Sequence, residues 1–130
     1  MATADTAQPA QMGPLHAFDV IVVPFPFTDR NAAKRRPALV LTGEPFNTAT
    51  SHSVLAMVTS AAQSAWPADV ALTDLKSANL PQACVVRLKL FTLDHRLILR
   101  KAGQLSPVDA AAVHAAWAGQ LLMAGRSPSD

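Results

Sequence analysis

The sequence predicts a mainly β protein with α-helical additions: a small antiparallel barrel or curled sheet with a helix against it. Three observations carry this expectation. Short runs rich in β-branched and aliphatic residues recur along the chain, each closed by Pro, Gly or a polar cluster. Clear helical patterning is confined to one element near the C-terminus, with a short one before Pro81. The regular strand–helix alternation of a parallel sheet is absent.

Residues 1–16, rich in Ala, Thr, Gln and Pro without a period, are expected to be a disordered tail. Phe18 to Val23 is a β-branched run suited to a buried strand, ended by Pro24 and Pro26, which cannot donate to a ladder. Asp29 to Lys34 is polar and is expected to form a mobile loop. Pro37 to Leu41 is a second strand, closed by the turn Gly43-Glu44-Pro45. Ser53 to Thr59 is a third, and Ala68 to Leu72 alternates enough for a fourth. Asp74 to Asn79 reads as a short helix. Cys84 to Phe91 starts as a buried run and then alternates apolar with basic, placing Arg87 and Lys89 on one wet face. Leu97 to Leu105 supplies the last strand. Ser106 then suits an N-cap, Pro107 the first helical position, and Asp109 the positive end of the helix dipole. This helix is expected to reach about Met123, with Gly125 as C-cap and Val113, Trp117 and Leu121 as a stripe. It is so apolar that it needs cover on more than one side, from the core or from a second subunit.

Composition sets outer limits. A chain of 130 residues that is 50% hydrophobic can bury a core and is not fully disordered. No run approaches the roughly 20 apolar residues of a membrane-spanning helix. The N-terminal stretch lacks the basic and apolar regions of a secretory signal, so a cytoplasmic protein without membrane attachment is expected. With Cys84 as the single cysteine, an internal disulfide is impossible and a thiolate zinc site is disfavoured. The net charge of +2 is unevenly spread. Residues 29–36 carry four cations against Asp29, and residues 87–101 carry five against Asp94, leaving the remainder acidic. Two basic strips on an acidic chain suit a short polyanion, a single strand better than a duplex.

Most catalytic patterns are missing. There is no Gly-rich phosphate loop, no nucleophile elbow, and no His pair at metal spacing among His16, His52, His95 and His114. Neither a metal nor a cofactor is expected. Glu44, the only glutamate, sits in a turn, which disfavours a carboxylate pair. What remains is rich in arginine. Arg36 precedes Pro37, whose ring biases it towards extended backbone, and Thr59-Ser60 ends the third strand. A guanidinium and a hydroxyl together suit a phosphate oxygen.

At these residues a family resemblance appears. Val22-Val23-Pro24-Phe25-Pro26-Phe27-Thr28-Asp29, followed by Lys34-Arg35-Arg36-Pro37-Ala38-Leu39-Val40-Leu41, resembles the opening of the MazF/PemK toxins of bacterial toxin–antitoxin pairs. Met57-Val58-Thr59-Ser60 is similar to the next motif. Asp74-Leu75-Lys76, Val85-Val86-Arg87, Leu90-Phe91-Thr92-Leu93-Asp94 and Leu99-Arg100-Lys101 into Gly103-Gln104-Leu105-Ser106 are similar to the later ones. The likeness spans about residues 17–124, which sets one toxin-like domain between tails at 1–16 and 125–130.

The resemblance implies an SH3-like antiparallel barrel of the MazF/Kid/CcdB type with a short helix and a C-terminal helix, forming a homodimer. It implies a metal-independent endoribonuclease that cuts single-stranded RNA at short sequences and is silenced by a cognate antitoxin. Arg36 and Thr59 fall on the family's active-site arginine and threonine. The loop from Pro26 to Arg35 would gate the groove, with Asp29, Arg30, Lys34 and Arg35 among its RNA contacts. Ser60, Arg87 and Lys89 complete the polar contacts, and Phe25, Phe27 and Trp66 are the candidate stacking surfaces. Two departures stand out. Relatives of the Kid type place an aspartate two residues after the later arginine, whereas Arg87 is followed by Lys89. The family glycine before the first strand's aspartate is here Phe18. The competing reading is a non-catalytic, CcdB-like growth inhibitor that binds a protein such as DNA gyrase.

Overall fold

The computed structural model describes residues 12–26, 30–63 and 65–121. Its elements are β1 (Asp19–Phe25), β2 (Lys34–Val40), α1 (Glu44–Thr50), β3 (His52–Ser60), β4 (Val70–Ala71), α2 (Leu75–Ala78), β5 (Cys84–Asp94), a 3-10 turn (His95–Leu97), β6 (Arg100–Gln104) and α3 (Pro107–Trp117). The six strands form one antiparallel sheet in the order β4-β5-β3-β2-β1-β6, curled into a half-barrel. The mainly β fold with added helices is therefore as the sequence predicts.

Strand side chains alternate between two buried layers, which is why the apolar runs are nearly continuous. Val20, Leu39, Ala56, Val58 and Val86 face one cluster, closed by Val113 and Trp117 of α3. Ile21, Val23, Ala38, Val40 and Leu55 face the other, joined by Leu93 and Ile98. Leu15 also belongs to this second cluster and is 3% exposed, so packing begins inside the stretch read as a tail.

Several boundaries differ from the sequence reading. β1 continues through Pro24 to Phe25, because β6 pairs only with Asp19 to Val22 and Pro24 needs a partner on the β2 side alone. β2 starts at Lys34, so Lys34 and Arg35 are strand residues and not loop. The turn expected at Gly43-Glu44-Pro45 opens α1, where Pro45 occupies a first-turn position whose amide has no intrahelical partner anyway. Leu97 to Leu99 is not strand. The 3-10 turn intervenes, capped by Asp94, which accepts from the Arg96 amide. β4 shrinks to two residues and β5 runs on to Asp94. The last helix, expected to reach about Met123, ends at Trp117 and gives way to turns at 118–120, while the C-cap expected at Gly125 lies outside the described residues. Phe18, standing where the family has glycine, adopts φ 73°, a left-handed conformation that costs a bulky residue about 1–3 kcal/mol. Its amide donates to the Val40 carbonyl at 2.7 Å and its carbonyl accepts from the Leu105 amide at 3.0 Å, which hold it there.

Two contacts fix the short helix α2. At Gly103 of β6 a Cβ would lie 2.8 Å from the Ala78 carbonyl carbon and collide with the Ser77 carbonyl oxygen, so only glycine lets α2 sit this close. The loop leading into α2 is pinned by Asp109 of α3, which is 1% exposed. Its carboxylate accepts from the Thr73 amide and hydroxyl (3.0 and 2.7 Å) and from the Asp74 amide (2.9 Å). α3 buries Asp109, Val113 and Trp117, while Ala111, Ala112, Ala115 and Ala116 are exposed. One stripe is thus covered by this chain and the alanine face is open, short of the wider cover that the sequence reading required.

Burial alone would raise the Asp109 pKa, but the three donors outweigh it and leave the carboxyl below its ordinary value. A depressed folded pKa gives stability that is present above the unfolded value of about 3.9 and is lost as pH falls through the folded one. Asp109→Ala should therefore cost about 2–4 kcal/mol at pH 7 by orphaning buried donors. In urea unfolding, the gap between variant and wild type should narrow below about pH 4. A gap that stays constant to pH 2 would contradict this assignment.

Candidate functional site

The site originates in the β2–β3 ladder. Its pairs are Val40 with Leu55, Leu39 with Ala56 and Ala38 with Met57, and there it stops. The Leu41 amide donates to the Val54 carbonyl at 2.9 Å, which marks that register line as hydrogen-bonded. Hydrogen-bonded positions alternate along an antiparallel pair, so Leu39 and then Pro37 occupy the next two. Pro37 has no N–H to donate to Val58. The ladder ends there. On the same register Arg36 would face Thr59, one residue beyond the end of the ladder, and a cavity of about 190 Å³ there is lined by both strands. Arg35, Arg36, Thr59, Ser60, Gln63 and Gln82 line it, against a wall of Leu80 and Pro81 that follows α2.

Arg36 is held but not consumed. Its guanidinium carbon lies 4.7 Å from the centroid of the Phe25 ring, a cation–π contact that fixes its direction. Its Nε is buried without a hydrogen-bond partner, and no ion pair to Arg36 exists among the described residues. A buried, unpaired donor is costly, and an incoming anion removes that cost.

Residues opposite one another in an antiparallel ladder project from the same face. Pairing of Thr59 with Val85 and of Met57 with Arg87 places Thr59 and Arg87 on one face. The register of β1 with β2 puts Phe25 and Arg36 on that face too. Across it from the first aromatic–cation pair stands a second: Arg87 lies 5.0 Å from the Trp66 ring centroid and Lys89 Nζ 6.0 Å. Trp66 is 42% exposed, so part of its surface is open to solvent. Arg35 and Ser60, one residue along their strands, project from the opposite face and meet this group only at the cavity.

The two basic strips behave differently. Arg87 donates through Nε and Nη2 to Asp69 at 3.1 and 2.9 Å, and both side chains are 11% exposed. The Arg87 hydrogen bond holds the Asp69 carboxyl below its usual value despite partial burial. Asp94 pairs with Arg96 at 2.8 Å and is lowered to about 2, chiefly by that hydrogen bond. Lys101 pairs with the buried Asp19 at 3.3 Å. Most of the charge counted over residues 87–101 is thus neutralised, whereas Lys34, Arg35 and Arg36 have no ion pair among the described residues.

Of the other sequence candidates, Arg30 donates from Nη1 to the Arg96 and Ile98 carbonyls at 2.9 and 2.7 Å, tying its segment to the sheet edge. Lys34 and Arg35 are exposed on β2. Phe27 and Asp29 lie outside the described residues. Among the described residues no group of three or more His, Cys, Asp or Glu could hold a metal ion. His95 is buried against Ser53, Oγ to Nε2 2.8 Å, and burial pushes its pKa down. Ser53 donates in turn to Asn47 Oδ1 at 2.7 Å, so this histidine belongs to the packing of α1. Sequence reasoning missed Asp69. This carboxylate, 18 residues before Arg87 in the chain, pairs with it and accepts from the Trp66 amide at 2.9 Å.

The family model of PemK-like, MazF-like toxins of type II toxin–antitoxin systems matches residues 16–121. Solved structures share the fold. A MazE–MazF complex from Deinococcus radiodurans is 23% identical, with 85% of this chain and 98% of that chain covered and a TM-score of 0.64. An endoribonuclease in complex with its cognate antitoxin, from a mycobacterial species, is 16% identical over 88% and 100%, with a TM-score of 0.66. The Mycobacterium tuberculosis toxin MazF-mt6 is 20% identical over 78% and 93%, with a TM-score of 0.61. No curated protein sequence matches the chain. No described helix is long and apolar enough to cross a membrane.

If Pro37 is what stops the ladder, Pro37→Ala restores a donor at a hydrogen-bonding position. The variant should fold, and hydrogen exchange should show protection of the new amide at residue 37. An amide there that exchanges at the rate of an open loop would mean that something else ends the ladder.

Proposed function

This chain belongs to the PemK-like, MazF-like toxin family of type II toxin–antitoxin systems, and we propose that it is a metal-independent endoribonuclease acting on single-stranded RNA. The observation that carries this reading is that Arg36, its Nε buried without a partner, lines one cavity with Thr59 beyond the end of the β2–β3 ladder. Strand scission needs no protein nucleophile. The RNA 2′-oxygen attacks the adjacent phosphorus, the bond from phosphorus to the 5′-oxygen breaks, and a 2′,3′-cyclic phosphate and a 5′-hydroxyl result. The 2′-hydroxyl loses a proton and the leaving 5′-oxygen gains one. The protein must orient the backbone and stabilise negative charge on the pentacoordinate phosphorus. Arg36 does this bidentately while remaining protonated, since a guanidinium pKa above about 12 makes it a poor base. The Thr59 hydroxyl donates to a phosphoryl oxygen.

Recognition follows from the second aromatic–cation pair. Trp66, backed on one side by Arg87 and anchored through Asp69, offers its exposed surface to a base. Lys34, Arg35 and Lys89 supply positive charge for the backbone. In this reading the chain acts as a homodimer in the cytoplasm and is held inactive by a cognate antitoxin, as the family assignment suggests. Nothing in the site favours the gyrase-binding alternative.

Primer extension on a long RNA incubated with the protein in EDTA should reveal cuts at a short recurring sequence. Arg36→Ala should lower the cleavage rate about 100- to 1,000-fold and Thr59→Ala about tenfold or more, with unchanged circular dichroism. Intact RNA in EDTA, with cleavage only when divalent metal is added, would overturn the mechanism. Trp66→Ala should raise KM about tenfold through lost stacking while kcat moves far less. An unchanged KM would remove Trp66 from the binding surface.

A further inference from the structure

A second cleft adjoins the first on the β6 side of β2. It has a volume of about 230 Å³ and shares Arg35, Arg36, Pro37, Leu80 and Pro81 with the cavity that holds Thr59. What it adds is Arg100 of β6, with Val22 and Ala102 beneath and Asn79 at the rim. We propose that this cleft is a second phosphate-binding subsite for single-stranded RNA, with Arg100 and Arg35 as its cations, taking a phosphate further along the strand from the one that Arg36 and Thr59 hold. The proposal rests on the nuclease reading above and extends it to a residue outside the resemblance-derived site.

The ladder puts these cations together. Val22 is paired with Pro37 on one side and with Arg100 on the other. Residues opposite one another share a face, and Arg35 lies two residues from Pro37, so Arg35 and Arg100 project on the same side of the sheet, flanking β1. Two strand spacings separate β2 from β6, about 10 Å, a gap that two arginine side chains close over Val22. Lys101, the next residue, projects to the other face and is occupied by Asp19.

The charge is free. No carboxylate lines the cleft. Among the described residues Asp19, Asp69 and Asp94 are committed to Lys101, Arg87 and Arg96, and Arg35 and Arg100 have no ion pair. Apolar walls of Val22, Leu80, Pro81 and Ala102 reduce the screening of a bound phosphate. Continuity decides the ligand class. A polyanion leaving the Arg36 cavity meets the Arg100 cleft next, whereas an isolated small anion would have no reason to need both.

The test is the salt dependence of binding of a 2′-O-methyl oligoribonucleotide of mixed sequence, followed by fluorescence anisotropy. Arg100→Ala should weaken affinity about tenfold at 100 mM salt and lower the slope of log K against log salt by about 0.7, the loss of one phosphate contact. Arg100→Lys should recover most of the slope. Arg96→Ala removes the same charge from the exposed Asp94 pair and should leave both quantities unchanged. If the wild type binds and Arg100→Ala matches it in affinity and slope, the subsite is wrong and the nuclease reading stands. If Arg100→Ala loses affinity for a poly-glutamate peptide but not for the oligonucleotide, the cleft takes acidic protein and the proposal falls. If the wild type neither binds nor cuts RNA, both readings fail together.

Discussion

The functional geometry depends on a hydrogen bond that cannot form. Pro37 sits at a hydrogen-bonding position of the β2–β3 ladder without an amide hydrogen, and the ladder ends at Ala38 and Met57. Sheets normally close such gaps, because each unpaired backbone group in the interior is costly. Here a cavity lies beside the end of the ladder. Because Arg36 is the next residue, its guanidinium stands at the mouth, and the same register carries Thr59 to the other side. The pairing of arginine with proline is thus one device, in which proline ends the ladder and arginine lines the cavity beside it.

Charge is distributed by the same economy. Counting cations along the chain suggests that residues 87–101 form the stronger basic strip, yet Asp69, Asp94 and Asp19 neutralise three of its five cations. The weaker strip in β2 keeps its charge. Arg87 therefore serves better as a backing for Trp66 than as a phosphate clamp, since its nitrogens already face Asp69. Around the cavity, the Leu80–Pro81 wall is positioned by α2, which rests on Gly103 and is tethered through Thr73 and Asp74 to the buried Asp109. A loop so anchored from two sides lets the cleft keep its shape without a ligand.

Local chemistry made much of this legible. The β-branched runs, the Ser106 cap and the Val113–Trp117 stripe each state their element within a few residues, and the Ser106 hydroxyl does accept from the Asp109 amide at 3.2 Å. An ordered set of motifs singles out Arg36 and Thr59, which line one cavity. What escaped was decided by distant partners. Pro24 reads as a strand end, but β1 has a neighbour on one side only at that point, so the missing donor does no harm. Gly43-Glu44-Pro45 reads as a turn, yet it opens a helix that is held from outside, by Asn47 donating to the Leu15 and Thr42 carbonyls. Arg100 gave no signal beyond its charge, since only the register with Val22 reveals that it shares a cleft with Arg35.

The central claim is that the break in the β2–β3 ladder receives the reacting phosphate between Arg36 and Thr59. A crystal structure with a short single-stranded RNA carrying a 2′-deoxy sugar at the cleaved step tests it most directly, because attack is then blocked while the backbone remains. The account predicts a phosphate at hydrogen-bonding distance from both the Arg36 guanidinium and the Thr59 hydroxyl. An RNA strand bound with its phosphates touching neither residue would contradict it.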